Sequence, residues 1–283
     1  MTAAAAEQRA FECTPAAVRL RFRRLRIGLF YWWRHKRWPD LDRPAMFTEW
    51  VQWRKLHERD ECLAILTDKL YSKSLVADRC SAHLSVPTLW VGLDLPGDPP
   101  GDFPMIVKAN HSCGRVRVVR DLGDWRSARH AARRWVSGVY GACLDERQYR
   151  AARRLVLVEP FLGRGDRLPD DYKVYVFGGR AAIVQHHVDR GTRQHRWTQF
   201  DRAWSRVGGA HSEAGPPFTL MQMLDKAELL AAGFDFLRVD FYEVEGRLWF
   251  GEFSLFPGSG LDPFEPVALD RELGQLWSAA RAR

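Results

Sequence analysis

The sequence predicts an α+β protein in which two lobes enclose a cleft. Three observations carry this. Helical periodicity dominates up to residue 79; strands and helices then alternate without the spacing of a repeat or a doubly wound sheet; and the most patterned stretch is a hairpin over residues 236–256. With 283 residues, 46% of them hydrophobic, the chain is long enough to bury a substantial core.

The elements follow in order. Ala-rich residues 1–16 are expected to fray, and a helix is expected over 15–36, stopping before Trp38-Pro39. Thr48 is a candidate cap for a helix carrying Trp50, Trp53 and Leu56, and a further helix over 61–79 turns Leu66, Leu70 and Leu75 inward. Residues 84–91 read as a strand, 94–102 as a Pro/Gly loop, and 103–107 as an apolar strand. A helix over 124–139 precedes strands at 155–161 and 172–177, the second turning at Gly178-Gly179 into 181–187. A helix over 220–232 leads into the closing hairpin.

Composition excludes several classes. No apolar run approaches the ~20 residues a membrane-spanning helix needs, and residues 1–10 lack a signal-peptide pattern, so a soluble, cytoplasmic protein is expected. The five cysteines (Cys13, Cys62, Cys80, Cys113 and Cys143) are scattered, odd in number and without metal-ligand spacing, and read as reduced thiols. The net charge of +8 is local: residues 19–37, opening on Arg19 and closing on Arg37, hold eight Lys/Arg and no acid. Peripheral contact with an anionic membrane is one use of such a block, whereas nucleic acid is not expected; the favoured reading is a helix that packs its aromatic face on the domain and exposes its charges.

Two stretches carry chemistry. Over residues 103–114 an apolar strand delivers Lys108 and then Ala-Asn-His-Ser-Cys-Gly, which fits a phosphate cradle: a lysine at a strand end neutralises polyphosphate, and a small-residue loop can turn backbone N–H groups toward it. It lacks the Walker glycines, and an ordinary strand-to-loop turn is the alternative.

In the hairpin 236–255, a three-residue loop at 245–247 would set Val244 opposite Leu248, Asp240 opposite Glu252 and Arg238 opposite Ser254. A two-residue loop would send the two carboxylates to opposite faces. Two opposed acids repel unless a cation sits between them, and Mg²⁺ favours a pair of carboxylates completed by phosphate and water. The alternative is that Asp240 merely pairs with Arg238 and Glu252 caps an exposed edge. Pro257-Gly-Ser-Gly260 follows, either a plain turn or a backbone cradle for an anionic substrate.

These residues resemble the ATP-grasp superfamily, in particular the TupA-like branch named for teichuronopeptide biosynthesis. The similarity runs in order through residues 47–56, 68–73, 107–111, 171–179 and 238–260, with a weaker block from Asp189 to Trp204, so that it spans residues 34–277. It implies the ATP-grasp fold: a small lobe at 103–162 and a large lobe at 163–283, preceded by a basic, aromatic helical segment at 1–40 and a helical segment at 41–102.

It also implies ATP and Mg²⁺ as cofactors, with Lys73, Lys108, His111, Ser112 and Gly114 toward the phosphates. Glu159, Phe161 and Leu162 would form the adenine-reading hinge. The metal ligands would be Asp240, Glu252 and Ser254, and Lys173 and Arg238 the catalytic cations. Arg190, His195 and Arg196, with Gly258, Ser259 and Gly260, are assigned to substrate. Ser112 and Cys113 stand where the family has glycines, and Ser254 where it has Asn. The implied reaction transfers the γ-phosphoryl of ATP to a carboxylate, giving an acylphosphate that an amine captures as an amide, in bacterial envelope polysaccharide or peptide-conjugate synthesis. The partners would be an acidic sugar or amino acid and an amine. Phosphotransfer to a sugar hydroxyl and a catalytically degenerate binding protein remain the alternatives.

Overall fold

The computed structural model describes residues 15–165 and 167–282; the terminus expected to fray, and Cys13, lie outside the described residues. The helices are α1 (Pro15–His35), α2 (Phe47–His57), α3 (Glu61–Ile65), α4 (Lys69–Arg79), α5 (Leu122–Ser137), α6 (Leu220–Leu230) and α7 (Val267–Arg281). The strands are β1 (Trp90–Gly92), β2 (Met105–Ala109), β3 (Val116–Val119), β4 (Val156–Pro160), β5 (Asp171–Phe177), β6 (Arg180–Val188), β7 (Arg196–Asp201), β8 (Arg206–Gly209), β9 (Phe236–Val244) and β10 (Arg247–Ser254).

The strands form two antiparallel sheets, one ordered β1-β4-β2-β3 and one ordered β10-β9-β5-β6-β7-β8. The smaller sheet is backed by α5. Ala128 and Ala132 let that helix approach closely, and Trp125 fills the space over Met105, Val107, Val119, Val156 and Val158. In the larger sheet β5 is buried along its whole length, as a central strand covered on both faces must be. Beneath it α6 presents Met223, Leu224, Ala227 and Leu230, and α7 presents Leu269, Leu273 and Trp277, each set at helical spacing. Helix α2 lies against α7, where Gly274 is required: a Cβ there would come within 2.3 Å of the Ala45 carbonyl oxygen.

Several sequence expectations change. Met46, not Thr48, precedes the first turn of α2; the Thr48 hydroxyl instead donates to Asp270 (2.7 Å). The helix expected over 61–79 breaks into α3 and α4 because Asp68 caps a new start, accepting from the Tyr71 N–H at 3.0 Å. The strand expected at 84–91 is confined to β1. Part of the region read as a recognition loop, 189–204, is strand β7, which pairs with β6 and β8.

Helix α1 is turned over relative to expectation. Ile27 and Tyr31 are buried with Arg23, while Phe22, Leu25, Leu29, Trp32 and Trp33 face out. The cause is electrostatic. Asp145 lies beneath the helix and takes both Arg23 (2.9 Å) and Arg26 (2.6 Å), and Glu49 takes Arg37, so the arginine face is the one that docks.

Candidate active site

A cleft with about 870 Å³ of open space lies where the two sheets face one another. The smaller sheet contributes Ile106, Lys108 and Glu159, with Phe161 and Leu162 just past β4, and the loop after β2 contributes Ser112, Cys113 and Gly114. The larger sheet contributes Tyr242, Gly251 and Glu252; Arg190 and Lys69 complete the wall.

The acidic pair forms by a route different from the expected one. The β9–β10 turn has two residues, Glu245 and Gly246, both with positive φ (55° and 73°), so that Arg247 faces Val244. Continued without a break, that register would set Gly251 opposite Asp240 and turn Glu252 to the far face. A bulge at Gly251 absorbs one residue. Phe250 faces Phe241, Glu252 then faces Asp240, and Ser254 faces Arg238. Gly251 suits the bulge because a Cβ there would sit 3.1 Å from the Asp240 carbonyl oxygen.

Ion pairs knit the cleft into one electrostatic unit. Glu159 is buried between Lys73 and Lys108 (2.6 Å to the latter), and Lys69 reaches Glu252 at 2.9 Å while donating to the Ser112 carbonyl at 3.0 Å. Lys173 bridges Asp171 and Asp240 (2.9 Å to Asp240), Arg238 grips Asp240 with two bonds of 2.7 Å, and Arg190 pairs with Asp171. Six cations thus face four carboxylates. The surplus of two positive charges matches a magnesium triphosphate, whose charge is roughly −2.

Burial alone would raise the Glu252 carboxyl, but Lys69, helped by Lys173 and Arg238, overrides it and holds the group well below the usual carboxylate range. Glu159 is lowered in the same way, with Lys108 and Lys73 overcoming burial. Burial drives Lys73 downward and Glu159 only partly restores it.

A second, smaller cavity of about 420 Å³ lies beyond this network. It is lined by Tyr175, Gln185, His187, Trp197, Gln199 and Arg238 on the sheet, and by Gly258 and Asp262 from the loop after β10. Burial, and then the charges of Lys173 and Arg238, keep His187 neutral. Its Nε2 and the Gln199 Oε1 are buried without partners. Arg190, Asp171, Lys173, Asp240 and Arg238 form an unbroken run of ion pairs, a charged wall that reaches the first cavity at Arg190 and the second at Arg238.

Of the residues chosen from sequence, Lys108, Ser112, Gly114, Glu159, Phe161, Leu162, Arg190 and Glu252 line the first cavity, and Arg238 and Gly258 line the second. Others lie elsewhere. Lys73 is spent on Glu159, the Val86 carbonyl and Thr88. His111 is turned away from the cleft with Nε2 near the Trp135 carbonyl (2.9 Å), and Arg196 pairs with Asp189 on the surface. His195 stacks on His187 and shares a hydrogen bond with it.

Ser259 and Gly260 are packed against α2 rather than open to a ligand. Lys55 donates to the Ser259 hydroxyl (2.7 Å) and carbonyl (2.8 Å), and Gln52 donates to the Gly260 carbonyl (3.1 Å). Sequence reasoning gave no role in the site to Lys69, Asp171 or Tyr242. Lys69 stands one helical turn before Lys73, so a helix starting at Asp68 would have placed both on one face.

Lys55 supplies a pH test. Burial pushes its ammonium down to about 8 from an ordinary 10.5. A lysine depressed in the fold is a burden below its folded value, and the burden is relieved as pH rises toward the unfolded one. Relative to Lys55→Met, the natural chain should therefore gain up to about 3 kcal/mol between pH 8 and 10.5 in chemical denaturation. A flat difference would show that Lys55 carries no such load.

Comparison with known proteins places this geometry. The family described as TupA-like ATPgrasp matches residues 49–278. The chain belongs to the TupA-like ATP-grasp family. Among solved structures it is similar to the ATP-grasp ligase PsnB complexed with a minimal precursor, at 18% identity and TM-score 0.43, covering 76% of this chain and 60% of that one. It is also similar to an L-amino acid ligase from Bacillus licheniformis (12%, TM-score 0.47, 69% and 44%) and to a D-alanine–D-alanine ligase from Bacillus anthracis (16%, TM-score 0.47, 76% and 66%). The chain thus spans about 60% of the length of the first of these and less than half of the second. A search of curated proteins finds no match.

No group of three or more His, Cys, Asp or Glu side chains able to hold an ion occurs among the described residues, so the protein alone offers two carboxylates. Glu252 Oε1 is engaged only by the Cys113 thiol at 3.7 Å, which leaves it open to an ion, and Asp240 Oδ1 accepts a single bond, from Arg238. Two hard oxygens completed by phosphate and water suit Mg²⁺. Lys69 holds the other Glu252 oxygen. Lys69→Met should therefore weaken nucleotide binding by about ten-fold and lift the Glu252 carboxyl toward its ordinary range, read as a rising KM with an acid limb displaced to higher pH. An unchanged KM and pH profile would make Lys69 a bystander.

Proposed function

We propose that the protein is an ATP-dependent carboxylate–amine ligase of the bacterial cytoplasm. The observation that supports this best is the charged wall of ion pairs from Arg190 through Asp171, Lys173 and Asp240 to Arg238, which joins a first cavity lined by Arg190 to a second lined by Arg238. ATP occupies the first cavity, its base against Phe161 and Leu162, its phosphates toward Lys108, Lys69 and the loop at Ser112 and Gly114. Asp240 and Glu252 hold Mg²⁺, with Ser254 a weaker third oxygen. When bound, the ion neutralises phosphate charge and fixes the transferred group.

Arg238 reaches from the wall into the second cavity. A substrate carboxylate there meets the terminal phosphoryl across Arg238 and Lys173, which stabilise the charge that develops as phosphate moves. An amine then attacks the acylphosphate, forming the C–N bond as the C–O bond to phosphate breaks, and inorganic phosphate leaves while the nitrogen loses a proton. Unpaired His187 Nε2 and Gln199 Oε1 supply hydrogen bonds to the acceptor, and Gly258 its backbone. Within this reading, residues 103–162, joined by β1, form the small lobe and 163–283 the large lobe. An acidic sugar or amino acid of envelope polysaccharide or peptide-conjugate synthesis is the substrate class we favour.

The test is ADP release with Mg-ATP and pooled uronic acids, amino acids and small amines, followed by mass spectrometry. Release that needs both a carboxylate and an amine, with a product lighter than their sum by one water, supports the ligase. A phosphorylated sugar formed without an amine would make the chain a kinase instead.

A further inference from the structure

We infer that α1 is an interfacial helix that seats this protein on an anionic lipid surface. The stripe is defined by geometry. Val18, Phe22, Leu25, Leu29, Trp32 and Trp33 recur at intervals of three and four, so at 100° per residue they share one face, and all are exposed. The face that docks on the protein, marked by Arg23, Ile27 and Tyr31, lies on the opposite side of the helix. Phe22 is 69% exposed and Trp33 is 61% exposed, values that isolated surface apolar residues reach but six neighbours on one helix face do not.

Charge identifies the occupant. Residues 19–37 contain no acid, and although Arg23, Arg24, Arg26, Arg34 and Arg37 pair with acids of the domain, Arg19, Arg21 and Lys36 lie along the exposed stripe. On the helical wheel Arg19 flanks the stripe on one side and Arg21 on the other, and Lys36, just past the helix end, stands 5.9 Å from the centre of the Trp32 ring. Leucine and phenylalanine flanked by arginine and ending in tryptophans and a lysine match a bilayer interface: apolar side chains enter the acyl boundary, indoles sit at headgroup depth and cationic side chains meet lipid phosphates. A protein groove would take the apolar stripe without needing cations on both flanks. No helix among the described residues is long and apolar enough to cross a membrane, so the contact is one of lying on the surface. The exposed Trp38 ring folds back over Gly28, where a Cβ would lie 2.3 Å from it, and adds apolar surface beside the helix.

The test is co-sedimentation of the full-length chain with vesicles of phosphatidylcholine alone or with about 30% phosphatidylglycerol. The natural chain should partition at least about ten-fold more strongly onto the anionic vesicles, and about 0.5 M salt should weaken it. Leu25→Glu with Leu29→Glu should lose that binding about ten-fold or more with an unchanged melting temperature and unchanged nucleotide turnover, since neither side chain touches the core or the cleft. Equal partition of natural and variant chains, or no binding to either vesicle, would overturn the inference. So would a dimer in sedimentation velocity that the double variant converts to monomer while vesicle binding is absent, which would assign the stripe to a second copy of this chain.

Discussion

Asp240→Asn is expected to reduce ATP turnover by about 10²–10³-fold, because the exchange removes a metal oxygen and the anchor of Arg238 together. It should also cost about 3–5 kcal/mol of stability, since Asp240 is buried and the neutral amide leaves Arg238 without its carboxylate and Lys173 with Asp171 alone. The two effects are separable. Glu252→Gln spares the Arg238 clamp and touches only the Lys69 pair, so it should lose turnover to a similar degree with a smaller shift in the denaturation midpoint. Wild-type turnover in both variants would reduce the acids to ordinary salt-bridge partners.

Glu159→Ala is the second large effect. This carboxylate is 2% exposed and holds two lysines, so its loss leaves two partly buried ammonium groups without an acid and should destabilise the fold by about 3 kcal/mol at neutral pH. The pH dependence has a definite sign. Because the folded value of Glu159 lies below its ordinary 4.5, its contribution is complete above that value and is lost as pH falls through the folded one. The difference between wild type and variant should therefore hold from pH 7 to about 5 and shrink below about 4. A difference that does not change with pH would mean that Glu159 acts through packing, not charge.

The sequence was most legible where side-chain period and charge act together. The strand that delivers Lys108 and the hairpin that carries Asp240 and Glu252 could be found because alternation marks a sheet face and buried acids stand out against it. The facing of Asp240 and Glu252 was anticipated, but its cause was not. Glu245-Gly246 is a two-residue turn, and the extra residue assigned to the loop sits instead at Gly251, where an insertion leaves no compositional trace beyond a glycine. Lys69 was missed because a continuous helix over 61–79 hid the cap at Asp68 that aims it into the cleft. Strands β7 and β8 were missed because their polar residues read as loop, although Thr198, Phe200 and Gly208 are buried on pairing. Amphipathicity marks two faces of α1 but not which one docks; that was decided by Asp145, more than a hundred residues away in the chain.

On this reading a divalent ion held by Asp240 and Glu252 links the protein to ATP. Its most direct test is calorimetric titration of the full chain with ATP, once with magnesium and once with a chelator. Binding that strengthens about ten-fold or more with magnesium in the natural chain, and loses that gain in Glu252→Gln, is the predicted result. Equal affinity with and without magnesium, or the same magnesium gain in the variant, would contradict the account.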